Sequence, residues 1–172
     1  RQLLKNSKDK QEKAYLLNYF LESFRGTLFR QTMFAEFEQK AHEMAATGES
    51  LTSQSLCSIY KKLNEDYFGP DTVTDPEIQY EWERIPHFYT PFYVYQYATG
   101  FSAAIAISRK IFNGEPGILE GYRKFLSGGC CDTPIELLKL AGVDMSHTGP
   151  VEEALKFFEE LLNEFEELVH RF

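Results

Sequence analysis

The chain has 172 residues, of which 43% are hydrophobic and 26% are charged, a composition typical of one soluble globular domain with a substantial core. Acidic residues outnumber basic ones by 26 to 18, which gives a net charge of -8 at neutral pH. This balance argues against nucleic acid or a membrane as partner, because both nucleic acid and anionic membranes attract clustered positive charge. No apolar run reaches the roughly 18 residues typical of a membrane-spanning helix.

The chain contains three cysteines, Cys57, Cys130 and Cys131, and two of them are adjacent. Neighbouring cysteines rarely reach the geometry of an unstrained disulfide, and the sequence has no CxxC zinc knuckle. We therefore predict free thiols and a cytoplasmic location, since reducing compartments keep cysteines unpaired.

A long helix is predicted near the start of the chain, over Lys10–Ala46, because apolar residues recur at three- and four-residue steps. Gly26 disfavours a helix interior by roughly 1 kcal/mol, so it either bends this helix or lets another helix approach closely. Arg1–Leu4 resembles the end of an earlier helix, and we expect the chain to be part of a longer protein. The apolar stripe of the long helix consists of Ala14, Leu17, Leu21, Phe24, Leu28, Thr32, Ala35 and Phe37.

Two shorter helices are predicted next. Thr52 is a suitable cap for a helix that runs to about Tyr67. Asp75–Glu77 is typical of a second helix start, with a side-chain cap, proline at the first position and an acid in the first turn. Pro86 ends that second helix after about two turns.

Pro91 is predicted to open a third long helix, about Phe92–Phe112. Its middle, ATGFSAAIAIS, consists largely of small residues, which allow close packing against neighbouring helices. We therefore expect this helix to be central in the fold.

The last third of the chain is also predicted to be helical. Helices are expected from Gly114 to about Leu126, from a Thr133 capping box to Gly142, and after Gly149-Pro150, where an apolar stripe runs from Val151 to Val169. No region alternates with period two for long enough to indicate a strand. The predicted class is all-α, with residues 1–172 forming a single helical unit.

One histidine and four tyrosines crowd the segment Arg84–Gly100, RIPHFYTPFYVYQYATG. Every buried hydroxyl needs a hydrogen-bond partner, so this pattern favours a site that holds a polar, extended substrate. Prolines on both sides of His87 stiffen its loop, and Tyr93 and Tyr97 are spaced to share a helix face. The other interpretation is an aromatic helix start packed in the core with its hydroxyls at the rim, and the residues alone favour neither. The four tyrosines are Tyr89, Tyr93, Tyr95 and Tyr97.

The glycine turn in Ser127–Asp132, SGGCCD, is a second candidate binding segment. Gly128 and Gly129 would let the backbone approach a ligand closely, although glycines also form ordinary turns.

No metal site is predicted in the chain. The His42-Glu43 pair would need a second histidine at position 46 to form a zinc-protease motif, and that residue is Ala46. His42 and Glu43 are therefore interpreted as part of a solvated helix face.

Three separated segments together resemble the oligoendopeptidase F branch of the thimet-oligopeptidase-like zinc metallopeptidases. They are FRGTLFRQTMFAEFE (Phe24–Glu38), RIPHFYTPFYVYQYATGFSAA (Arg84–Ala104) and FLSGGCCDTPIELLKLAGVD (Phe125–Asp144). The resemblance implies a helical array that forms the C-terminal part of a metallopeptidase catalytic domain and acts on short peptides. In that family an HExxH helix and a further glutamate hold zinc, and these elements lie upstream of the matching region. The resemblance thus implies zinc in the full-length enzyme, no zinc bound to this chain, and no activity of the chain alone.

The resemblance also implies roles for individual residues. His87 and Tyr93 match the histidine and tyrosine that stabilise the tetrahedral intermediate, although Tyr95 or Tyr97 could take the place of Tyr93. The expected substrate-binding residues are Tyr89, Tyr95, Tyr97, Gly128 and Gly129.

The alternative function is a non-enzymatic helical module that binds peptides in a tyrosine-lined groove. Self-association of the isolated chain is expected if apolar surface around Tyr93 and Tyr97 is left uncovered.

Overall fold

The computed structural model describes residues Gln2–His170, and this part of the chain contains helices and no strands. The predicted all-α class is confirmed. None of the helices in the described part is long and apolar enough to cross a membrane. The α-helices are α1 (Gln2–Asn6), α2 (Lys10–Phe24), α3 (Arg30–Thr47), α4 (Ser53–Phe68), α5 (Tyr95–Phe112), α6 (Ile118–Ser127), α7 (Pro134–Leu140) and α8 (Gly149–Val169).

The described residues divide into two compact units. One unit comprises the residues up to Arg25 together with those from Thr99 onward, and the other is the continuous stretch Gly26–Ala98. The two units are called the α2/α8 unit and the α3/α4 unit below. That residues 1–172 act as one helical unit stays a prediction.

The long helix predicted over Lys10–Ala46 is interrupted by a π-helical turn, Arg25–Phe29, between α2 and α3. Gly26 lies inside this turn, and no neighbouring atom lies within 4 Å of where a Cβ would be. Of the two roles predicted for Gly26, close approach of another helix is therefore wrong. The glycine coincides instead with a local change in helix winding.

The core of the α3/α4 unit is aromatic. Phe34 and Phe37 of α3 pack against Tyr60 of α4, with ring centroids 6.2 and 5.2 Å apart. Thr52 caps α4 as predicted, and it forms a reciprocal capping box with Ser55. The buried residues of this core are Met33, Phe34, Phe37, Tyr60, Leu63, Ile85 and Val94.

The helix predicted to start at Asp75–Glu77 is a 3₁₀ helix, Pro76–Arg84, and Asp75 makes no side-chain cap hydrogen bond. Proline at the first position fits either helix type, so the local pattern could not distinguish them. Pro86 does end this helix, and it opens a second 3₁₀ turn, Pro86–Tyr89.

A buried carboxylate, Glu81, fixes the first 3₁₀ helix to the core. Glu81 is 8% exposed, and it accepts hydrogen bonds from Arg30 Nη2 at 2.6 Å and the Tyr60 hydroxyl at 2.7 Å. Arg84 forms a second ion pair with it. Burial opposes the ionisation of Glu81, but the bonds from Arg30 and Tyr60 and the nearby positive charges outweigh burial and lower its pKa. Burial and the bond to Glu81 raise the pKa of Tyr60.

The predicted start of the third long helix at Phe92 is wrong, because α5 begins at Tyr95. Phe92 has a φ of 57°, the one positive φ among the described non-glycine residues. A left-handed residue cannot continue a right-handed helix, so the backbone forms a turn before α5 starts.

The core of the α2/α8 unit is formed by α2 packing against α8. Phe20 and Phe24 of α2 meet Phe157 of α8 with ring centroids 5.6 and 6.1 Å apart. Several small residues of α5 are buried here, with Ala103 and Ala106 in one apolar cluster, whereas Gly100 and Ala104 are exposed. 

One helix start and one capping box in this unit differ from expectation. Helix α6 begins at Ile118 and not at Gly114, because Gly117 has a φ of 80° and lies outside the helix as its N-cap. Thr133 caps α7 by accepting from Glu136 N at 3.4 Å, while the Glu136 carboxylate accepts from Lys139 Nζ. Helix α8 begins at Gly149 and so includes the Gly149-Pro150 pair that it was expected to follow.

Helices α6 and α7 come into close contact at Gly121. A Cβ on Gly121 would lie 1.9 Å from the carbonyl oxygen of Leu140, which is backbone and cannot move easily. We expect Gly121→Ala to lower the free energy of unfolding by about 2 kcal/mol, as measured by urea denaturation. Gly26→Ala is the control, because a methyl group there meets no neighbouring atom within 4 Å. Equal effects of the two substitutions would contradict this account.

Candidate functional site

The histidine loop is the 3₁₀ turn Pro86–Tyr89, which lies in the α3/α4 unit. Phe88 anchors it, because its ring packs 5.6 Å from that of Phe34 and 5.3 Å from that of Phe37. The backbone N–H of Thr90 donates to the His87 carbonyl at 3.0 Å and closes the turn. With Phe88 turned inward, the neighbouring side chain of His87 is exposed.

The structure brings His87, Tyr93 and Tyr97 together. The His87 and Tyr93 rings are stacked, with centroids 5.5 Å apart and planes 9° from parallel. The Tyr97 ring is nearly perpendicular to both, at 5.8 Å from His87 and 5.5 Å from Tyr93. These three side chains are called the His–Tyr trio below. Although Tyr93 precedes α5, it meets Tyr97 as the four-residue spacing predicted.

The hydroxyl groups of the trio form a short chain of hydrogen bonds. Tyr97 OH donates to Tyr93 OH at 3.2 Å, and Tyr97 OH lies 3.3 Å from His87 Nε2. Because a hydroxyl has only one proton, the Tyr97–Tyr93 bond makes His87 Nε2 the donor to Tyr97. Tyr93 is the last acceptor of this chain, so its own O–H is available to donate outside the trio.

This arrangement changes the acidity of Tyr97. The hydrogen bond to Tyr93, with a smaller contribution from burial, raises the pKa of Tyr97, because the bond stabilises the protonated phenol.

We expect Tyr93→Phe to move the pKa of Tyr97 down towards the ordinary value of tyrosine. Phenylalanine keeps the ring but removes the oxygen that accepts from Tyr97. A pH titration followed by NMR of ring-labelled tyrosine would measure the shift. Tyr15→Phe is the control, because Tyr15 is an exposed tyrosine of α2. If the pKa of Tyr97 were the same in Tyr93→Phe as in the unmodified chain, the hydrogen bond between the two tyrosines could not be the cause of the shift.

The trio borders a surface cavity of about 290 Å³ lined by Pro86, His87, Thr90 and Tyr93. Tyr93 is 38% exposed and Tyr97 is 36% exposed. The trio is therefore not fully buried in the core, and substrate binding by its side chains stays a prediction. A ligand in the cavity can reach both the imidazole and the Tyr93 ring.

The other two predicted tyrosines flank the trio in sequence. Tyr89 ends the histidine turn and is 84% exposed, and Tyr95 is the first residue of α5 and is exposed. Both present aromatic surface to solvent. Their predicted role in substrate binding stays a prediction.

Gly128 and Gly129 lie in the α2/α8 unit, in the turn after α6. The Gly128 carbonyl accepts from Cys131 N at 3.1 Å, and Gly129 has a φ of 55°, which favours glycine. These features explain a tight turn, and substrate binding by the two glycines stays a prediction.

All three cysteines are free, as predicted, with Cys57 buried and the Cys130–Cys131 pair exposed.

Residues 2–170 contain no group of three or more histidine, cysteine, aspartate or glutamate side chains that could hold a metal ion. These residues therefore do not fit a zinc site by themselves. His42 and Glu43 are exposed, as predicted for a solvated face, and the His42 ring also stacks on Phe92 at 4.7 Å.

Two carboxylates that support this region were missed by the sequence analysis. Glu81 holds the 3₁₀ helix before His87, and Glu38 accepts from the backbone N–H of Phe92 at 2.8 Å. Glu38 lies four residues after Phe34 on the buried face of α3. An acidic residue at an inward-facing helix position is the signal that could have identified it.

Comparisons with known proteins agree with this fold. The model of peptidase family M3 matches residues 1–157. The chain is 52% identical over 169 residues to the chromosomal oligoendopeptidase F of Lactococcus lactis subsp. cremoris, covering 98% of this chain and 28% of that protein. It is 53% identical over 168 residues to oligopeptidase PepF of Bacillus subtilis, covering 97% of this chain and 25% of that protein.

The crystal structure of oligoendopeptidase-F from Enterococcus faecium shares the fold. The TM-score is 0.96 at 51% sequence identity, over 99% of this chain and 33% of that one. The chain thus spans about a quarter to a third of the length of these relatives. With a family model that matches nearly the whole sequence and relatives about half identical to it, the chain belongs to peptidase family M3.

Proposed function

We propose that this chain forms the C-terminal part of the catalytic domain of a zinc-dependent endopeptidase that hydrolyses short peptides. In this proposal it supplies residues that bind the substrate and stabilise the transition state. Membership of a peptidase family and about 50% identity to oligoendopeptidases support hydrolysis over a non-enzymatic binding module. The free cysteines support a cytoplasmic location.

The observation that carries the proposal is the chain of donors in the His–Tyr trio. Attack on a peptide bond places negative charge on the carbonyl oxygen, and donors already aimed at that position lower the barrier. Tyr93 accepts from Tyr97, which leaves the Tyr93 O–H to donate to such an oxygen. Accepting this bond also strengthens Tyr93 as a donor, because hydrogen bonds in a chain polarise one another.

His87 is the second donor to the oxyanion. Its bond to Tyr97 is 3.3 Å long, beyond the usual range, so the imidazole can exchange it for a substrate carbonyl at little cost. Tyr97 keeps its hydrogen bond to Tyr93 during this exchange and so continues to position the Tyr93 hydroxyl. Tyr89 and Tyr95 offer aromatic surface and hydroxyl groups to the peptide beside the trio. For Gly128 and Gly129 the proposal is substrate binding through the backbone of their own turn in the α2/α8 unit.

The proposal places zinc on residues outside the described part of this chain, since the described residues do not fit a zinc site. The chain alone is then inactive and binds no zinc tightly. Self-association of the isolated chain through the exposed tyrosines stays a prediction.

The test compares the isolated chain with the longer protein that contains it, using a short internally quenched fluorescent peptide. We expect the longer protein to cleave the peptide, to lose activity with a chelator and to regain it with zinc. The isolated chain should not cleave. Binding of the peptide without cleavage by either protein would overturn the enzyme proposal in favour of the binding module. Tight binding of one zinc ion per isolated chain would contradict the proposal that the zinc ligands lie elsewhere.

A further inference from the structure

Glu38 is a buried carboxylate whose environment needs explanation. It lies on α3 beside the aromatic core of the α3/α4 unit and is 6% exposed. Burying a carboxylate is unfavourable unless hydrogen bonds replace its contacts with water. Glu38 Oε1 accepts a hydrogen bond of 2.8 Å from the backbone N–H of Phe92, a residue 54 positions further along the chain.

Phe92 needs such a partner because its backbone is strained. Its φ of 57° is left-handed, a conformation that residues with a Cβ adopt only when their surroundings hold them. The bond from Glu38 holds its amide. His42, one helical turn after Glu38, stacks on the Phe92 ring at 4.7 Å with planes 29° apart. Helix α3 therefore holds both the backbone and the side chain of Phe92.

The strained residue directly precedes Tyr93. Val94, on the other side of Tyr93, is buried in the core of the same unit. Tyr93 is thus held between two anchored residues, and its ring lies against that of His87 with planes 9° from parallel. A relaxed φ at Phe92 would turn the following backbone and move the Tyr93 hydroxyl away from the imidazole.

We propose that Glu38 is a positioning residue. Its hydrogen bond to the Phe92 amide fixes the left-handed turn that sets Tyr93 against His87. Glu38 does not touch the reacting atoms and acts through Phe92 and Tyr93. The effect on turnover rests on the proposed function, whereas the effect on the geometry of the loop does not.

The first test measures geometry in the chain itself. The Phe92 amide should exchange slowly with deuterium in the unmodified chain, and His87 and Tyr93 should show NMR cross-peaks between their rings. Glu38→Met, which removes the acceptor at similar size, should abolish the protection and weaken the cross-peaks. Glu38→Gln keeps an acceptor oxygen and should preserve both. A Phe92 amide that exchanges in the unmodified chain as fast as an unbonded loop amide would overturn the proposal, even if Glu38→Met fails to fold.

The second test measures turnover in the longer peptidase. Glu38→Met should lower kcat by about 100-fold through misplacement of Tyr93, with little change in KM. Glu38→Gln should restore most of the loss, which a role confined to general stability would not require. Glu36→Met is the control, because Glu36 is a carboxylate on the same helix whose partner is the Tyr67 hydroxyl of α4. It should leave kcat unchanged.

Equal losses of turnover in the Met and Gln variants at Glu38, or full activity in both, would overturn the positioning role. Failure of the proposed function gives a different result. The longer protein would then bind the peptide without cleaving it, or its turnover would be insensitive to His87→Ala, while the exchange of the Phe92 amide would still respond to Glu38→Met.

Discussion

Replacing His87 by alanine in the longer peptidase should lower turnover by about 100- to 1000-fold, the usual effect of removing one oxyanion donor. The substitution removes the imidazole that lines the 290 Å³ cavity and bonds to Tyr97. KM should change much less than kcat, because the lost interaction strengthens only as charge develops on the carbonyl oxygen. Steady-state kinetics on a short fluorogenic peptide would measure both constants.

The controls for His87→Ala separate chemistry from folding. Zinc content, measured on the purified variant, should be unchanged. His170→Ala is the matched substitution, because His170 is an exposed histidine outside the trio. It should retain full turnover. Near-normal turnover in His87→Ala would refute the role assigned to the imidazole.

Replacing Glu81 by alanine should lower the free energy of unfolding by about 3 kcal/mol at neutral pH. The carboxylate is buried, and its removal leaves the Tyr60 hydroxyl and the Arg30 guanidinium without the acceptor they now share. Urea denaturation would measure the loss. Glu22→Ala is the control, because the Glu22–Arg25 pair is about half exposed on both sides, and such pairs contribute less than about 1 kcal/mol. Equal losses in the two variants would contradict the importance of burial.

The loss in Glu81→Ala should also depend on pH. The pKa of Glu81 is lowered in the folded chain, so the unfolded chain binds this proton more readily. The ionised carboxylate therefore contributes stability above its unfolded pKa, near 4.5, and this contribution is lost as pH falls through the folded pKa. The difference in unfolding free energy between the unmodified chain and Glu81→Ala should shrink over this acid range. If this difference in unfolding free energy stayed constant down to the lowest pH at which both chains fold, it would contradict a lowered pKa of Glu81.

Most of the fold could be predicted from the sequence because its signals are local. The spacing of apolar residues in α2, α3 and α8 and the cap at Thr52 depend on neighbours within one or two helical turns. The start of α5 could not be predicted in this way. Its position depends on the left-handed φ of Phe92, which Glu38 holds from another helix.

The candidate site was predictable in part for the same reason. The spacing of Tyr93 and Tyr97 indicated that they meet, and the structure places their hydroxyls 3.2 Å apart. That His87 joins them depends on the turn between Thr90 and Val94, which no local pattern specified. The resemblance to a known family supplied roles for these residues that their spacing alone could not.

The His–Tyr trio and both of its supporting carboxylates lie within the continuous stretch Gly26–Ala98. All five residues therefore come from one continuous stretch of the sequence. Recombination between related genes could therefore transfer the whole set with only two crossover points. A chimaera in which a relative receives this stretch would inherit the donor's hydrogen-bond chain together with the glutamates that hold it.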